Sequence, residues 1–422
     1  MTGARRLAPA GWMTAPETRA VIAALEAAQA GSARFVGGCV RNALMGRPID
    51  DIDIATPLLP DDVISALRAA GLKFAPTGLA HGTVTAIVHG RPFEITTLRK
   101  DVETDGRHAV VAFTTDWAQD AARRDFRLNA IYASPDGALF DPVGGVEDAL
   151  AGRVVFIGDA QARIREDYLR ILRFFRLTAQ CSQTVDQAGL VACGALSEGI
   201  GALSAERVWK EIKKLLAAPD PRLALAAMAA SGILGRILPE ARGLGVCERL
   251  VAVDSDSFFE PDALLRLLAL MPDDPQAARD LASRLKLANA ERDRLVAALG
   301  PWPNGAAACD TRIVSYLSAR QVRRALYHLG AQAFRDRVRL SWARDGNPRT
   351  HSQWRALLAM SEGWVRPVLK LTGEQVTAAG VPRGARIGAV MREVEAWWID
   401  ADFPDDELSL IERLKAVAQA LG

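Results

Sequence analysis

The segment RFVGGCVRNALMGRPIDDIDIAT, residues 34–56, contains the pattern that decides the fold of the N-terminal part of this 422-residue chain. RFV predicts a strand that runs into a glycine turn, and CVRNALMG predicts a helix that ends at Gly46. DIDIAT then predicts a second strand. This order of elements indicates a sheet with helices packed against it.

Two aspartates project from one face of the predicted second strand. Alternate side chains of a strand share a face, so Asp51 and Asp53 point together while Ile52 and Ile54 enter the core. Two like charges this close repel each other unless a cation lies between them, and carboxylate oxygens near phosphate groups suit Mg²⁺. A polar strand end exposed to solvent is the alternative for an isolated pair of this kind.

A phosphate-binding turn is predicted just upstream of the two aspartates. Gly37 and Gly38 lie where the first strand meets the helix, and their missing Cβ atoms let backbone N–H groups approach an anion. Arg41 follows one helical turn later and adds a cation. Together with Asp51 and Asp53, this arrangement predicts a nucleoside triphosphate held by its phosphates beside a catalytic metal ion.

The remaining chain changes character near residue 158. Before that point, GTVTAIVHG and RPFEITTLR predict a hairpin, and the polar segment KDVETDGRHAVVAFTTDW, which includes Arg107 and His108, predicts a functional or mobile loop. Beyond it, long alanine- and leucine-rich periods separated by proline and glycine breaks predict an all-helical remainder. We expect an α+β head at 20–158, a helical neck at 159–218, and a helical body and tail at 219–422.

Composition excludes several classes of protein. The formal net charge of +2 does not by itself indicate a nucleic-acid partner. No apolar run reaches the ~18 residues of a membrane span and no signal-peptide pattern is present, so we expect a cytoplasmic protein without a membrane partner. The five cysteines are scattered and the five histidines show no cluster, which predicts reduced thiols and neither a zinc site nor a disulfide framework.

Five motifs occur in a fixed order: GGCVRNALMGRPIDDIDIAT, ARRDFRLNAIYA, DPVGGVEDAL, REDYLRILRFFRL and SAERVWKEIKKLL. Over residues 33–216 the chain resembles the class II tRNA nucleotidyltransferases (CCA-adding enzymes) and bacterial poly(A) polymerases, of the polymerase-β-like nucleotidyltransferase superfamily. The resemblance implies a polymerase-β-like head, CTP and ATP as substrates, tRNA as partner, and Asp51 and Asp53 as metal ligands. Two positions depart from the pattern: Asn42 replaces a usual aspartate and Arg127 a usual threonine.

Four more head residues are candidates for the site. Glu94, in the strand run FEITTL, is the candidate third catalytic carboxylate, with an ordinary exposed glutamate as an equal alternative. In RRDF, Arg124 can contact phosphate or ribose, and Asp125 can accept hydrogen bonds from ribose hydroxyls, which favours ribonucleotides. Asn129 can bond near the sugar or triphosphate, or cap a helix end.

The motif REDYLR predicts recognition of the base. Asp167 and Arg170 lie three residues apart on one predicted helix face, and Glu166, four residues before Arg170, can orient the arginine. An arginine donor beside an aspartate acceptor matches the Watson–Crick edges of cytosine and adenine, whereas uracil and guanine reverse the pattern. Side chains of the protein would then select C and A without a template. A surface ion pair is the alternative.

An arginine-rich stretch in the C-terminal half supplies the candidate RNA-binding residues Arg323, Arg324 and Arg335, with a solvated helix face as the alternative. The expected function is template-independent addition of CMP and AMP to the 3′ end of tRNA by two-metal nucleotidyl transfer, with Mg²⁺ as cofactor. The motifs leave open a poly(A) polymerase, an enzyme that adds only CC or only A, and a catalytically silent RNA-binding protein.

Overall fold

The structure of the protein, a computed structural model, describes residues 6–8, 10–104, 109–300 and 313–421. The chain forms two units, residues 1–239 and 240–422, and each has its own packed interior. The finer division into head, neck, body and tail stays a prediction. None of the helices in the described ranges combines the length and apolar content that crossing a membrane requires.

A mixed sheet positions the site in the first unit. Its strand order is β3-β4-β5-β2-β1-β8-β9, with β2 and β5 parallel and the other neighbours antiparallel. The hairpin of β4 and β5 is confirmed, since these strands pair from Thr83↔Thr96 to Val88↔Arg91. The strands of the unit are β1 (Arg34–Val36), β2 (Asp53–Thr56), β3 (Lys73–Gly78), β4 (Thr83–Val88), β5 (Arg91–Thr97), β6 (Arg99–Thr104), β7 (Ala109–Phe113), β8 (Tyr132–Ala133) and β9 (Leu139–Phe140).

The helices of the first unit begin and end at the residue types that local rules favour. Proline opens α2 and α4, and side-chain oxygens of Asp116, Asp159 and Ser204 accept from the first turns of α5, α7 and α10. The helices are α1 (Gly11–Thr14), α2 (Pro16–Ala28), α3 (Gly38–Leu44), α4 (Pro60–Ala69), α5 (Trp117–Ala122), α6 (Gly145–Leu150), α7 (Ala160–Glu166), α8 (Leu169–Cys181), α9 (Gln187–Ala195), α10 (Ala205–Leu216), α11 (Arg222–Ala230) and α12 (Ile233–Ile237).

The polar segment after β5 is not a plain loop, which corrects the sequence-based prediction. β6 and β7 pair antiparallel as a separate two-stranded sheet, with a register shift between Asp101 and Glu103. The strand β6 is mostly polar and β7 is the apolar run AVVAF, so neither has the alternation of apolar and polar residues by which a half-buried strand is identified in a sequence. Arg107 and His108 lie outside the described residues.

The second unit is helical throughout its described residues, as predicted. Trp342, Phe334 and Leu326 are fully buried in an apolar cluster of this unit. Gly330 has φ 77°, which breaks the regular geometry of the longest helix. The helices are α13 (Leu244–Asp256), α14 (Ala263–Leu270), α15 (Pro275–Arg284), α16 (Asn289–Leu299), α17 (Ala319–Asp345), α18 (His351–Ala359), α19 (Gly373–Ala378), α20 (Ala385–Asp400) and α21 (Glu407–Leu421).

The cysteines behave as predicted where the structure describes them. Cys39, Cys181, Cys193 and Cys247 are free thiols in buried positions. Cys309 lies outside the described residues. These thiols therefore fill space in the core, in agreement with the reduced state expected from their spacing.

Candidate active site

The carboxylates of the first motif lie at the start of a central strand. β2 begins at Asp53, two residues later than predicted, yet the alternation survives, because Ile52 is 2% exposed and Ile54 is fully buried. Asp53 stands directly opposite Glu94 of the parallel strand β5. Burial, followed by the charges of Glu94 and Asp51, raises the pKa of Asp53 to about 6, against the opposing effect of Arg124. The site therefore concentrates negative charge, and a bound cation would stabilise it.

The protein supplies only some of the ligands that a magnesium ion needs at this site. Within the described residues, no group of three or more His, Cys, Asp or Glu side chains converges at metal-binding distance, so Glu94 does not complete a three-carboxylate cage. Asp51 and Asp53 remain as two hard oxygen ligands. Mg²⁺ is usually held by one or two carboxylates together with water and substrate phosphates, and the pair fits that mode.

The glycine turn lies directly above the carboxylates. Gly37 has φ 73° and precedes the first residue of α3, a conformation that a side chain would strain. A Cβ atom at Gly37 would lie 3.9 Å from both Asp53 Oδ2 and Arg124 Nη1. The backbone can therefore approach a bound molecule between an acidic and a basic group.

The arginine of this turn is held by neutral groups. Arg41 donates through Nη1 to Asn129 Oδ1 at 2.6 Å, and through Nη2 and Nε to Asn42 Oδ1 at 2.9 and 3.1 Å. Burial is the largest influence on Arg41 and lowers its pKa. Arg41 and Asn129, predicted separately from two motifs, thus meet in one hydrogen-bonded pair.

The RRDF segment is fixed by partners that the sequence did not reveal. Arg124 donates to Asp120 Oδ2 at 3.0 Å and to the Tyr132 hydroxyl at 3.2 Å. Asp125 accepts from Arg173 Nε at 2.7 Å and from Asn129 Nδ2 at 3.2 Å. Burial raises the pKa of Asp125, but the charge of Arg173 and these hydrogen bonds outweigh it and hold the pKa below its usual range.

The predicted base-reading residues do not share one helix, which corrects the sequence-based prediction. α7 ends at Glu166 and α8 begins at Leu169, while Asp167 has extended geometry with φ −156° and ψ 107°. The cause is local, since Asp167 Oδ1 accepts from the backbone N–H of Leu169 at 3.0 Å and so competes with helix continuation. Asp167 Oδ2 also accepts from Arg207 Nη2 at 2.8 Å.

Glu166 nevertheless contacts Arg170 as predicted. Arg170 Nη1 forms an ion pair with Glu166 and also donates to the backbone carbonyl of Arg163 at 2.8 Å. Glu166 accepts in addition from Arg163 Nη1 at 2.9 Å through both of its oxygens. Within the described ranges, Nη2 and Nε of Arg170 have no protein acceptor and remain available to a bound molecule.

One cleft of about 1200 Å³ in the first unit brings these groups together. Every candidate catalytic or nucleotide-binding residue of this unit lines it except Glu166, which stands behind Arg170. The candidates that line it are Gly37, Gly38, Arg41, Asp51, Asp53, Glu94, Arg124, Asp125, Asn129, Asp167 and Arg170. Carboxylates, a glycine turn and an arginine–aspartate pair thus share one space of a size suited to a nucleotide.

Comparison with known proteins identifies the family of this chain. Residues 33–155 match the family model "Poly A polymerase head domain", and residues 184–244 match "Probable RNA and SrmB- binding site of polymerase A". The human mitochondrial CCA tRNA nucleotidyltransferase 1 is 32% identical over 396 residues, which cover 90% of this chain and 86% of the human one. The chain belongs to the CCA tRNA nucleotidyltransferase family.

Two further relatives extend this result along the whole chain. The CCA-adding enzyme of Levilactobacillus brevis is 28% identical over 91% of this chain and 94% of its own length. The crystal structure of the Bacillus stearothermophilus CCA-adding enzyme in complex with CTP superposes with a TM-score of 0.72 at 26% identity, covering 96% of this chain and 99% of that one. Family membership also implies the use of divalent metal ions.

Both departures from the family pattern have structural partners. Asn42 accepts from Arg41 and donates through Nδ2 to the carbonyl of Pro48 at 2.8 Å. Arg127 lies 3.8 Å from the buried carboxylate of Asp148, which belongs to the motif DPVGGVEDAL. Neither residue removes a predicted ligand.

The candidate RNA-binding arginines are mostly engaged within the second unit. Arg323 forms a two-pronged ion pair with Asp402, and Arg324 Nη1 lies 2.8 Å from Asp400 Oδ1. Arg335 instead donates to the neutral amide of Gln332 at 3.2 Å. RNA binding by the three arginines stays a prediction, and it is stronger for Arg335 than for the two residues that already have carboxylate partners.

Three arginines make contacts with site residues that the sequence did not predict: Arg163, Arg173 and Arg207. Each bonds to a predicted residue, Arg163 to Glu166, Arg173 to Asp125 and Arg207 to Asp167. The motifs REDYLRILRFFRL and SAERVWKEIKKLL contain two of them, but the separation of Arg173 from Asp125 by 48 residues gave no sequence signal.

Proposed function

We propose that this protein adds CMP and AMP to the 3′ end of tRNA without a template, using CTP and ATP and releasing pyrophosphate. The observation that carries the proposal is the single cleft in which Asp53 and Glu94 of paired strands face the same space as Asp167 and Arg170. A carboxylate pair supports phosphoryl chemistry, and an arginine–aspartate pair reads a base. Membership of the CCA tRNA nucleotidyltransferase family supports the same reaction.

The chain's own residues divide the work on the nucleotide. Gly37, Gly38 and Arg41 hold the triphosphate, since they combine an open backbone with a cation that has no carboxylate in hydrogen-bonding contact. Asp51 and Asp53 would hold Mg²⁺, which when bound activates the attacking RNA hydroxyl and neutralises charge on the triphosphate. The exposed carboxylate of Glu94 adds negative charge beside Asp53 and strengthens the attraction for that cation.

The ribose is held by a preset network. Asp125 is oriented by Arg173, Asn129 and the backbone N–H of Phe126, and its carboxylate lines the cleft, where we assign it as the acceptor for hydroxyl donors of a ribonucleotide. Arg124, fixed by Asp120, points Nη1 toward the glycine turn. The network is formed without substrate, so little reorganisation is needed when the nucleotide binds.

The base is selected by the pair at the start of α8. Asp167 accepts the amino hydrogen of cytosine or adenine, while Arg170 donates to the adjacent ring nitrogen. Arg207 holds Asp167 and Glu166 holds Arg170, each through an ion pair. The resulting specificity belongs to the protein and requires no complementary strand.

The test is single-nucleotide extension of tRNA substrates. Transcripts that lack CCA, lack only the terminal A, or are complete are each incubated with one labelled nucleotide, and the products are resolved by length. CCA addition predicts C on the first, A on the second and no extension of the third. Repeated A addition would instead identify a poly(A) polymerase, C alone or A alone a restricted enzyme, and no extension a silent RNA-binding protein.

The proposal includes no membrane partner, and a cytoplasmic location remains the expectation. The human relative is named as mitochondrial, so location differs within the family. Fractionation of cells that express the tagged full chain tests this expectation.

A further inference from the structure

Arg41 differs from four of the arginines that line the cleft with it. Its guanidinium donates to the amide oxygens of Asn42 and Asn129, and within the described ranges it bonds to no carboxylate. The four others each have a direct carboxylate partner: Arg124 has Asp120, Arg170 has Glu166, Arg173 has Asp125 and Arg176 has Glu211. Arg41 therefore keeps its charge for an incoming anion.

Asn42 is the residue that creates this difference. Its oxygen faces a group that only donates, and its nitrogen faces the carbonyl of Pro48, which only accepts, so the orientation of the amide is fixed. An aspartate, usual here in the family, could not donate to Pro48 and would add a negative charge beside Arg41. Only an amide can make both contacts.

The second contact reaches the loop before the metal-binding strand. Pro48 lies between α3 and β2, and the segment that follows it carries Asp51 into the cleft. The amide of Asn42 thus connects the phosphate-binding arginine to the loop that leads to the carboxylates.

We propose that Asn42 is a positioning residue for the triphosphate, which holds Arg41 in place without neutralising it. This inference rests on the proposed function. Because the contact concerns phosphate and not base, Asn42 affects CTP and ATP alike and leaves the choice of C over U unchanged.

The experiment compares Asn42→Asp with Asn42→Ala in the full chain. Binding of inorganic tripolyphosphate is measured by titration calorimetry in EDTA, and KM for CTP and ATP is measured with tRNA that lacks CCA or the terminal A. Asn42→Asp adds a charge that competes with the anion, so we expect affinity to fall about tenfold. Asn42→Ala removes the hydrogen bonds but adds no charge, so we expect a loss of only about threefold.

The order of the two variants in tripolyphosphate affinity separates an added charge from a lost hydrogen bond as the cause of weaker binding. If Asn42 had a purely structural role, Asn42→Ala would be the more damaging change, and that order would overturn the inference. Wild-type affinity for tripolyphosphate in Asn42→Asp would also overturn it, as would the absence of tripolyphosphate binding by the wild type. A parallel rise in KM for both nucleotides, at unchanged C-over-U preference, is the expected result. If the wild type binds tripolyphosphate with the expected order of variants but extends no tRNA, the proposed function fails while the role of Asn42 stands.

Discussion

Replacing Asp53 by asparagine should stabilise the metal-free protein at neutral pH, although it removes a catalytic ligand. Asp53 is half-buried next to Glu94 and Asp51, and its pKa is raised to about 6 from an unperturbed 3.8. A difference of about two units corresponds to ~3 kcal/mol at pH values above both pKa values. In Asp53→Asn this penalty is absent, so unfolding should require ~3 kcal/mol more, or roughly 5–10 °C in melting temperature for a unit of this size.

The sign of the pH dependence follows from proton binding. Between pH 3.8 and about 6 the folded protein holds a proton on Asp53 more often than the unfolded chain does. The free energy of unfolding contributed by this group therefore decreases as pH rises through that window, and the difference between variant and wild type disappears near pH 3.8. Calorimetric unfolding in EDTA at intervals from pH 4 to pH 8 measures this divergence.

Added Mg²⁺ and a control variant show whether the change in stability is specific to Asp53. Mg²⁺ should raise the melting temperature of the wild type and have much less effect on Asp53→Asn, because binding to the native state alone is stabilising. Asp136 is an exposed aspartate whose pKa is lowered by the Ser134 hydroxyl and a backbone N–H, so Asp136→Asn should change stability in the opposite direction. An Asp53→Asn protein less stable than wild type at pH 8 in EDTA would refute the electrostatic reasoning.

Three other substitutions test the remaining parts of the site. Asp167→Ala should raise misincorporation of UMP relative to CMP about tenfold, measured by single-nucleotide extension, and an unchanged preference would mean that the bases are read elsewhere. Arg163→Ala should lower the preference for CMP over UMP while CTP binding is retained, because Glu166 then loses one of its two arginine partners and holds Arg170 less firmly. Loss of CTP binding without misincorporation would contradict this role. Arg335→Ala should lower the salt dependence of tRNA binding by about one slope unit, whereas Arg323→Ala should chiefly lower the melting temperature; equal salt slopes for both variants and wild type would argue against RNA contact.

Local patterns predicted the part of the site that lies close together in the chain. Alternation in DIDIAT placed Asp51 and Asp53 on one face because a strand has a strict period of two, and glycine at position 37 is needed for a positive φ. The all-helical C-terminal part followed from its periodicity. These features depend on neighbours within a few residues, which a sequence displays directly.

The features that were missed depend on contacts between distant residues or on one capping bond. Arg173 reaches Asp125 across 48 residues, and no periodicity encodes that pairing. The break between α7 and α8 results from a side-chain oxygen of Asp167 that bonds Leu169 two residues later, a local contact that helical spacing alone conceals. The strand β6 is mostly polar and β7 is the short apolar run AVVAF, so neither shows an alternation of apolar and polar residues.

The partners of the arginines explain how one cleft can bind both a neutral base and an anionic phosphate chain. Arg170 forms an ion pair with Glu166, so it keeps a carboxylate partner when a neutral base accepts its remaining hydrogens. Arg41 is supported by amides, so its charge is balanced only when an anion arrives. A phosphate group at Arg170 would meet the carboxylate of Glu166, and a base at Arg41 would leave the cation uncompensated. The two ends of a nucleotide are therefore distinguished by the charge of the residue behind each arginine, and binding in the reverse direction is disfavoured at both ends.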